Sequence, residues 1–258
     1  MLVLYGAAAI PAWCGVVFEN QAKDLSTGEV MRAVTYVEAG RIRTEVLTAT
    51  GTVTAITIFR SDRPVVWMLQ PAEKTYQELT PADVERMAGQ MSSIQRQMEE
   101  MLKNLPPDQR AAAEQMMKQQ MGAGQRPTVT VKRIGPEPLG RFSTTKYEIW
   151  TGDERLGEIW AAPQEQLQLQ PAEYDTLLQF ARFFEKLSQA AANELDVADI
   201  LARYGDSIQG FPVKVRTYEN GEPVSEQETV RAERHTAGED KFQLPPGLRK
   251  VQAGVPEP

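Results

Sequence analysis

From residue 15 to residue 79 the chain runs in short stretches of alternating apolar and polar residues, broken at close intervals by turn-forming residues. A period of two predicts strands with one buried face. Val16–Asn20 is the first. Arg32–Ala39 alternates around Val34 and Tyr36, Gly40 turns the chain, and Arg41–Leu47 returns with Ile42, Thr44 and Val46 on one face. Val53–Arg60 follows Gly51. Ser61-Asp-Arg-Pro64 has the residue types of a turn, Val65–Leu69 is a short apolar run, and Pro71-Ala-Glu-Lys turns into Tyr76–Leu79. These are six antiparallel strands joined by short connections.

The period changes at Thr80. Thr80 is a suitable N-cap, Pro81 suits the first helical position, and Asp83 can answer the cap from the third. Val84, Met87, Met91, Ile94, Met98, Met101 and Leu105 then recur at gaps of three and four, a continuous apolar seam on one helix face. Pro106-Pro107 ends that helix. A second helix runs to about Met121, with Ala113, Met116, Met117 and Met121 on one side, and Gly122-Ala-Gly124 closes it. The segment 81–121 therefore reads as a helical hairpin inserted into a β protein.

Strands resume at Thr128–Ile134. Phe142–Trp150 and Leu156–Ala161 form a hairpin around Gly152-Asp153. A second helical block, 172–204, follows Pro171. Tyr174, Leu177, Leu178, Ala181, Phe184 and Leu187 make the face of its first helix, and Val197, Ile200, Leu201 and Tyr204 that of a shorter one. Phe211–Tyr218 and Val224–Ala232 pair around Asn220-Gly221, the strongest hairpin signal in the chain. The count is eleven strands and two helical blocks, with no strand–helix–strand alternation to suggest a parallel sheet. The expected fold is α+β: one large curved antiparallel sheet, an open half-barrel, with both helical blocks on its concave face. Residues 15–252 form one domain and 253–258 a disordered tail.

The order of several short motifs resembles a known family. "MLQPAEKTYQEL" ends a hairpin, a Met-rich helix leads into "MLKNLPPDQRAAAEQMMKQQM", and "GRFSTTKYEIWTG", "GFPVKVRTYENG" and "FQLPPGLRKV" follow. This succession is similar to the exported bacterial family called domain of unknown function 4412, itself similar to the LolA/LolB lipoprotein carriers. The resemblance covers most of residues 15–252. It implies an open half-barrel with helices as a lid, an envelope location and an apolar cavity. It implies no reaction and carries no functional residues across.

Composition narrows the function classes. The formal net charge of −7 in 258 residues disfavours nucleic acid as a partner. No stretch is read as reaching the ~18 or more apolar residues that a membrane-spanning helix needs. One cysteine, Cys14, excludes an internal disulfide, and one histidine, His235, excludes a multi-histidine metal site. His235 reads as an exposed loop residue. No G-x-S-x-G elbow, P-loop or H-E-x-x-H occurs. Glu45, Glu78, Glu148 and Glu158 fall on strands and read as solvated faces. Sequence alone does not assemble from them the paired acid and base of an enzyme. No enzyme, metal or cofactor is expected.

Residues 1–14, MLVLYGAAAIPAWC, are uncharged and apolar. They read as the core of an export signal cut before Gly15, with Ala12 and Cys14 as the small residues flanking the site and the true start lying upstream. Lipidation of Cys14 is disfavoured by Trp13 and Pro11, and a first buried strand is the remaining alternative. The export reading implies a periplasmic or otherwise exported location.

Seven of the ten methionines lie between Met87 and Met121. Three readings compete. Methionine packs irregular cores. It also makes adaptable surfaces for acyl chains or protein partners. Met87/Met91 and Met117/Met121 have the one-turn spacing for Cu(I), though no histidine or cysteine supports them. The leading expectation is a non-enzymatic envelope protein that binds a lipid or other apolar ligand. The lining candidates are Met87, Met91, Ile94, Met98, Met101, Met116, Phe184 and Leu187. The alternative is a scaffold or interaction module that docks an envelope protein on the Met-rich hairpin.

Overall fold

The computed structural model describes residues 15–106, 109, 129–190, 197–205 and 207–252. The expected export signal, the second helix of the hairpin with Met116, Met117, Met121 and Gly122–Gly124, and the tail 253–258 lie outside the described residues. So does the side chain of Leu187.

Twelve strands among the described residues form one sheet. They are β1 (Gly15–Asp24), β2 (Val30–Glu38), β3 (Arg41–Leu47), β4 (Val53–Arg60), β5 (Val65–Gln70), β6 (Thr75–Leu79), β7 (Val129–Pro136), β8 (Thr145–Thr151), β9 (Glu154–Ala162), β10 (Phe211–Glu219), β11 (Glu222–His235) and β12 (Arg249–Lys250). The order across the sheet is β12-β6-β5-β4-β3-β2-β1-β11-β10-β9-β8-β7. All neighbours are antiparallel except β12 and β6. Two meanders, β1–β6 and β7–β11, therefore join through β1 and β11. All eleven expected strands form, and the two-residue β12 is added by the C-terminal segment. Phe142, expected to open β8, instead bridges Leu139 ahead of that strand.

Register follows from one row of apolar residues. Val16 faces Val37, Val37 faces Ile42, Ile42 faces Phe59, Phe59 faces Val66, and Val66 faces Leu79. All six are buried in one core cluster. Two residues further along the strands the same face carries a second row, Ala232–Phe18–Thr35–Thr44–Thr57–Met68. A third reads Thr229–Asn20–Ala33–Val46–Ala55. The inner face thus grades from a dry row to a mixed one.

Helices cover this inner face. α1 is Pro81–Lys103, α2 Pro171–Ala190 and α3 Val197–Tyr204. Met87 of α1, Leu177, Phe180, Phe183 and Phe184 of α2, and Val197 and Leu201 of α3 all join the cluster built on the six-residue row. The three described helices therefore pack on one side of the sheet. α1 opens with the expected capping box: the Thr80 hydroxyl accepts from the Asp83 amide at 3.3 Å, and the Asp83 carboxylate accepts from the Thr80 amide at 3.0 Å. α2 is tied to the β2–β3 turn, where the Gly40 amide donates to the Thr176 hydroxyl at 2.8 Å. Gly40 sits at φ 79°, a conformation that leaves little choice of residue. Asn220 and Gly221, at φ 51° and 84°, make the β10–β11 turn with the geometry their sequence signals.

The outer face is closed differently. Ile58, Val65, Trp67 and Leu69 are covered by Leu244 and Leu248 of the C-terminal segment. That segment is pinned by Arg43, which donates to the Lys241 carbonyl at 3.1 Å, and by Arg60, which donates to the Phe242 carbonyl at 3.3 Å. Arg41 stacks over the Phe242 ring at 4.8 Å.

Hydrogen bonds from the Thr80 hydroxyl and amide, helped by Arg86, hold the Asp83 carboxyl down at about 2. Its ordinary value is ~3.9. The folded value lies below the unfolded one, so the cap stabilises fully above about pH 4 and is lost as the pH falls through about 2. The Asp83 carboxyl resonance is expected to titrate near 2 in the native protein and to move up in Thr80→Ala, short of its ordinary value because the backbone amide of residue 80 and Arg86 remain.

Candidate ligand-binding cavity

Between the inner face and the helices α2 and α3 lies a cavity of about 320 Å³. Phe18, Ile42, Phe211 and Val213 line the sheet side, and Leu177, Phe180, Val197 and Leu201 the helix side. Phe18 and Phe211 stack with centroids 5.7 Å apart and rings 7° from parallel, which fixes the wall between β1 and β10. The cavity runs out past Ala22, Met31, Arg32 and Gln227, where β1 and β2 end. Met31 is 54% exposed there, an apolar side chain at the mouth.

The floor is not uniformly apolar. Thr229, Asn20, Thr35 and Thr44 all line the cavity and form a hydrogen-bonded ribbon across four strands. The Thr229 hydroxyl donates to Oδ1 of the Asn20 side chain at 2.8 Å, Nδ2 of Asn20 donates to the Thr35 hydroxyl at 3.5 Å, and the Thr35 and Thr44 hydroxyls lie 3.2 Å apart. Every member is neutral. Asn20 carries two N–H donors and spends one on Thr35, so an amide hydrogen and the Thr44 hydroxyl remain for a guest.

The expected lining residues that are described lie elsewhere, Met116 and the Leu187 side chain being outside the described residues. None of Met87, Met91, Ile94, Met98, Met101 and Phe184 is among the lining residues. Phe184 enters an aromatic cluster with Phe180 and Phe183, at 5.3 and 5.2 Å, which in turn packs on Phe59. Along α1 the seam is buried at Val84, half-buried at Met87 and Met91, and exposed at Ile94, Met98 and Met101, the last at 70%. Helical period alone gives the apolar side of α1 and not how far along its length the sheet follows it. The cavity-lining side chains of α2 and α3 carry the same periodic signal. The ribbon's signal was weaker still: a run of threonines and one asparagine at strand positions where an apolar residue would satisfy the alternation.

Two other expectations are corrected. Glu158 is no solvated strand residue but 3% exposed. Lys146 at 3.0 Å, Arg155 at 3.1 Å, Arg216 at 3.3 Å and the Tyr218 hydroxyl at 2.8 Å surround it. Burial works to raise its pKa, but Lys146, Tyr218 and Arg155 together bring it below the usual range. Such a carboxylate is fixed as an anion, already saturated with donors, and is a structural ion pair. His235 is no loop residue either. It ends β11 opposite Gly15, half-buried, with its ring 5.2 Å from that of Tyr36. No cluster of three or more His, Cys, Asp or Glu side chains suited to a metal occurs among the described residues. No helix there is long and apolar enough to cross a membrane.

No family model matches the chain, and no curated protein matches it. Among solved structures, an uncharacterized conserved protein from Thermus thermophilus is 10% identical, with a TM-score of 0.46 over 94% of this chain and 91% of that one. The Pseudomonas aeruginosa MucA/MucB complex is 8% identical, with a TM-score of 0.40 over 93% of this chain and 59% of that one. MucB itself is 9% identical, at 0.39 over 92% and 60%. The chain thus spans under two thirds of the MucB chains.

Truncating Asn20 removes the acceptor of Thr229 and the donor to Thr35 in one step. Leaving partly buried groups unpaired costs about 1–3 kcal/mol. Asn20→Ala is expected to lose that much stability in urea denaturation. Thr44→Val, at the ribbon's end, is expected to lose under half as much.

Proposed function

We propose that the protein is a non-enzymatic cell-envelope carrier that holds a single acyl chain, with a neutral polar end, in an open half-barrel of the LolA/LolB kind. On the same reading it is an exported relative of the domain of unknown function 4412 family. The observation that carries the reading is the cavity: apolar walls from two aromatic-bearing strands and two helices, over a floor of hydroxyls and one amide.

Size and polarity narrow the guest. At ~30 Å³ apiece, the share of a water molecule in the liquid, the space takes about ten heavy atoms. That suits one medium chain, or part of a longer one leaving through the mouth, and not a multi-chain lipid. At ~0.8 kcal/mol per methylene, ten of them gain about 8 kcal/mol gross. Leaving a membrane costs the chain nearly the same, so a carrier needs no strong clamp. The ribbon offers an N–H and a hydroxyl but no charge, which favours an ester, amide or alcohol over a carboxylate. Arg32 and Glu228 border the lining but alternate with the inward Ala33 and Thr229, and Glu228 is held by Lys214 at 3.1 Å.

A second reading rests on a different observation. Ile94, Met98 and Met101 stand exposed on the outer half of α1, and adaptable apolar side chains there favour docking of a protein partner. The two readings separate by mutation.

Ala33 lies on the cavity floor between Asn20 and Val46. Ala33→Phe is expected to fill the void and weaken displacement of the neutral dye N-phenylnaphthylamine by 1-decanoylglycerol at least tenfold, about 1.4 kcal/mol. Its melting temperature should stay within a few degrees of wild type. Met101→Asp should leave that binding unchanged. Wild-type protein that takes up neither dye nor monoacylglycerol sinks the carrier reading, and loss of a pulled-down partner in Met101→Asp alone favours the docking one.

A further inference from the structure

Gly15 opens β1 and is packed against the end of β2 more tightly than any side chain allows. A Cβ built on it would lie 2.2 Å from the Val37 carbonyl oxygen and 2.5 Å from Cγ of Glu38. Backbone cannot yield to such an approach, so position 15 requires glycine. The neighbour it touches is itself unusual. Glu38 is a carboxylate only 2% exposed. Its Oε2 accepts from Arg41 through Nε at 2.8 Å and Nη2 at 2.7 Å. Its Oε1 is equally buried and, among the described residues, has no donor.

A buried carboxylate oxygen without a donor is costly and uncommon, and where one persists it marks a place for a missing partner. The backbone nitrogen of Gly15 is one bond from the Cα whose built Cβ would meet Cγ of Glu38. Within an uncut chain that nitrogen is an amide with one hydrogen and no charge. Hydrolysis of the Cys14–Gly15 bond by one water, catalysed by a signal-type peptidase, leaves a carboxylate on Cys14 and an ammonium on Gly15. That ammonium has three donors and a full positive charge.

We infer that the mature amino terminus is a structural cation: the α-ammonium of Gly15, freed by cleavage after Cys14, pairs with the buried Oε1 of Glu38. The inference rests on the export reading, which supplies the cut. Each carboxylate oxygen then has its own cation, Arg41 on one and the terminus on the other. Processing also becomes a folding step. The cut chain closes the seam between β1 and β2 with a charge-assisted bond that the precursor lacks, at the point where β1 also meets His235 of β11. Glycine at this position serves both needs, since no side chain stands between the nitrogen and the carboxylate.

The test compares protein beginning at Gly15 with the same chain acetylated on Gly15, each with Glu38 and with Glu38→Gln. The free α-amino group is expected to titrate by NMR at least one unit above its ordinary ~7.7–8.0, and to return to that range in Glu38→Gln. The free form should melt at least 3 °C above the acetylated one, and the gap should close in Glu38→Gln. An ordinary α-amino titration together with equal melting of the free and acetylated wild-type chains overturns the pairing, and needs no folded Glu38→Gln to be read. The mass of protein recovered from the periplasm of an expressing host tests the premise separately. A terminus at Gly15 supports the proposal. A periplasmic protein cut elsewhere overturns the pairing and leaves export standing, as does a Gly15 terminus with an ordinary titration, whereas protein found only in the cytoplasm with residues 1–14 retained overturns both.

Discussion

One row of side chains determines the arrangement of the N-terminal half. Val16, Val37, Ile42, Phe59, Val66 and Leu79 face each other across six strands and are buried together. A one-residue slip at any pairing would turn a whole strand's apolar set outward, so the row locks five registers at once. It also places the first helix. Leu79 ends the row, Thr80 caps α1 on the next residue, and Val84 is buried one turn later. α1 starts on the inner face because the row ends there.

The two faces of the sheet divide the polar groups between them. Inside, the ribbon Thr229–Asn20–Thr35–Thr44 is neutral, bonded to itself, and displays no charge on the floor. Outside, charges pair densely around Glu158, and Lys146 lies over the Trp160 ring at 4.7 Å. Alternation along a strand makes this division automatic: Lys214 and Arg216 point one way, Val213 and Val215 the other. Arg32 and Glu228, the charged residues at the cavity lining among the described residues, follow the same rule: each neighbours an inward residue, Ala33 or Thr229, and Glu228 pairs with the outward Lys214.

Much of this architecture was legible in the residues. Short runs of period two, bounded by Gly40, Gly51 and Asn220-Gly221, marked strands whose ends moved by a few residues at most. Thr80, Pro81 and Asp83 marked the helix start. The cavity was harder to read. A seam such as that of α1 has the same period whether it meets a sheet, a guest or solvent, and only the packing of α2 decides that Phe180 lines the void while Phe184 packs on other aromatics. Glu158 looked like a surface carboxylate because its four partners come from positions 146, 155, 216 and 218, which no local window joins.

The sheet's order has a temporal consequence. β1 and β11 are central neighbours, paired from Gly15 with His235 to Asp24 with Ser225. As the chain is made, β1 meets one of its two partners only after β2–β10 have emerged. Until then the meander β1–β6 ends in an open row of amide and carbonyl groups along β1, a template for pairing with any other extended chain. Contacts this distant in sequence form slowly. The middle of the finished sheet is thus the edge of every incomplete one, and the window in which that edge stays open is set by the rate at which residues 222–235 arrive.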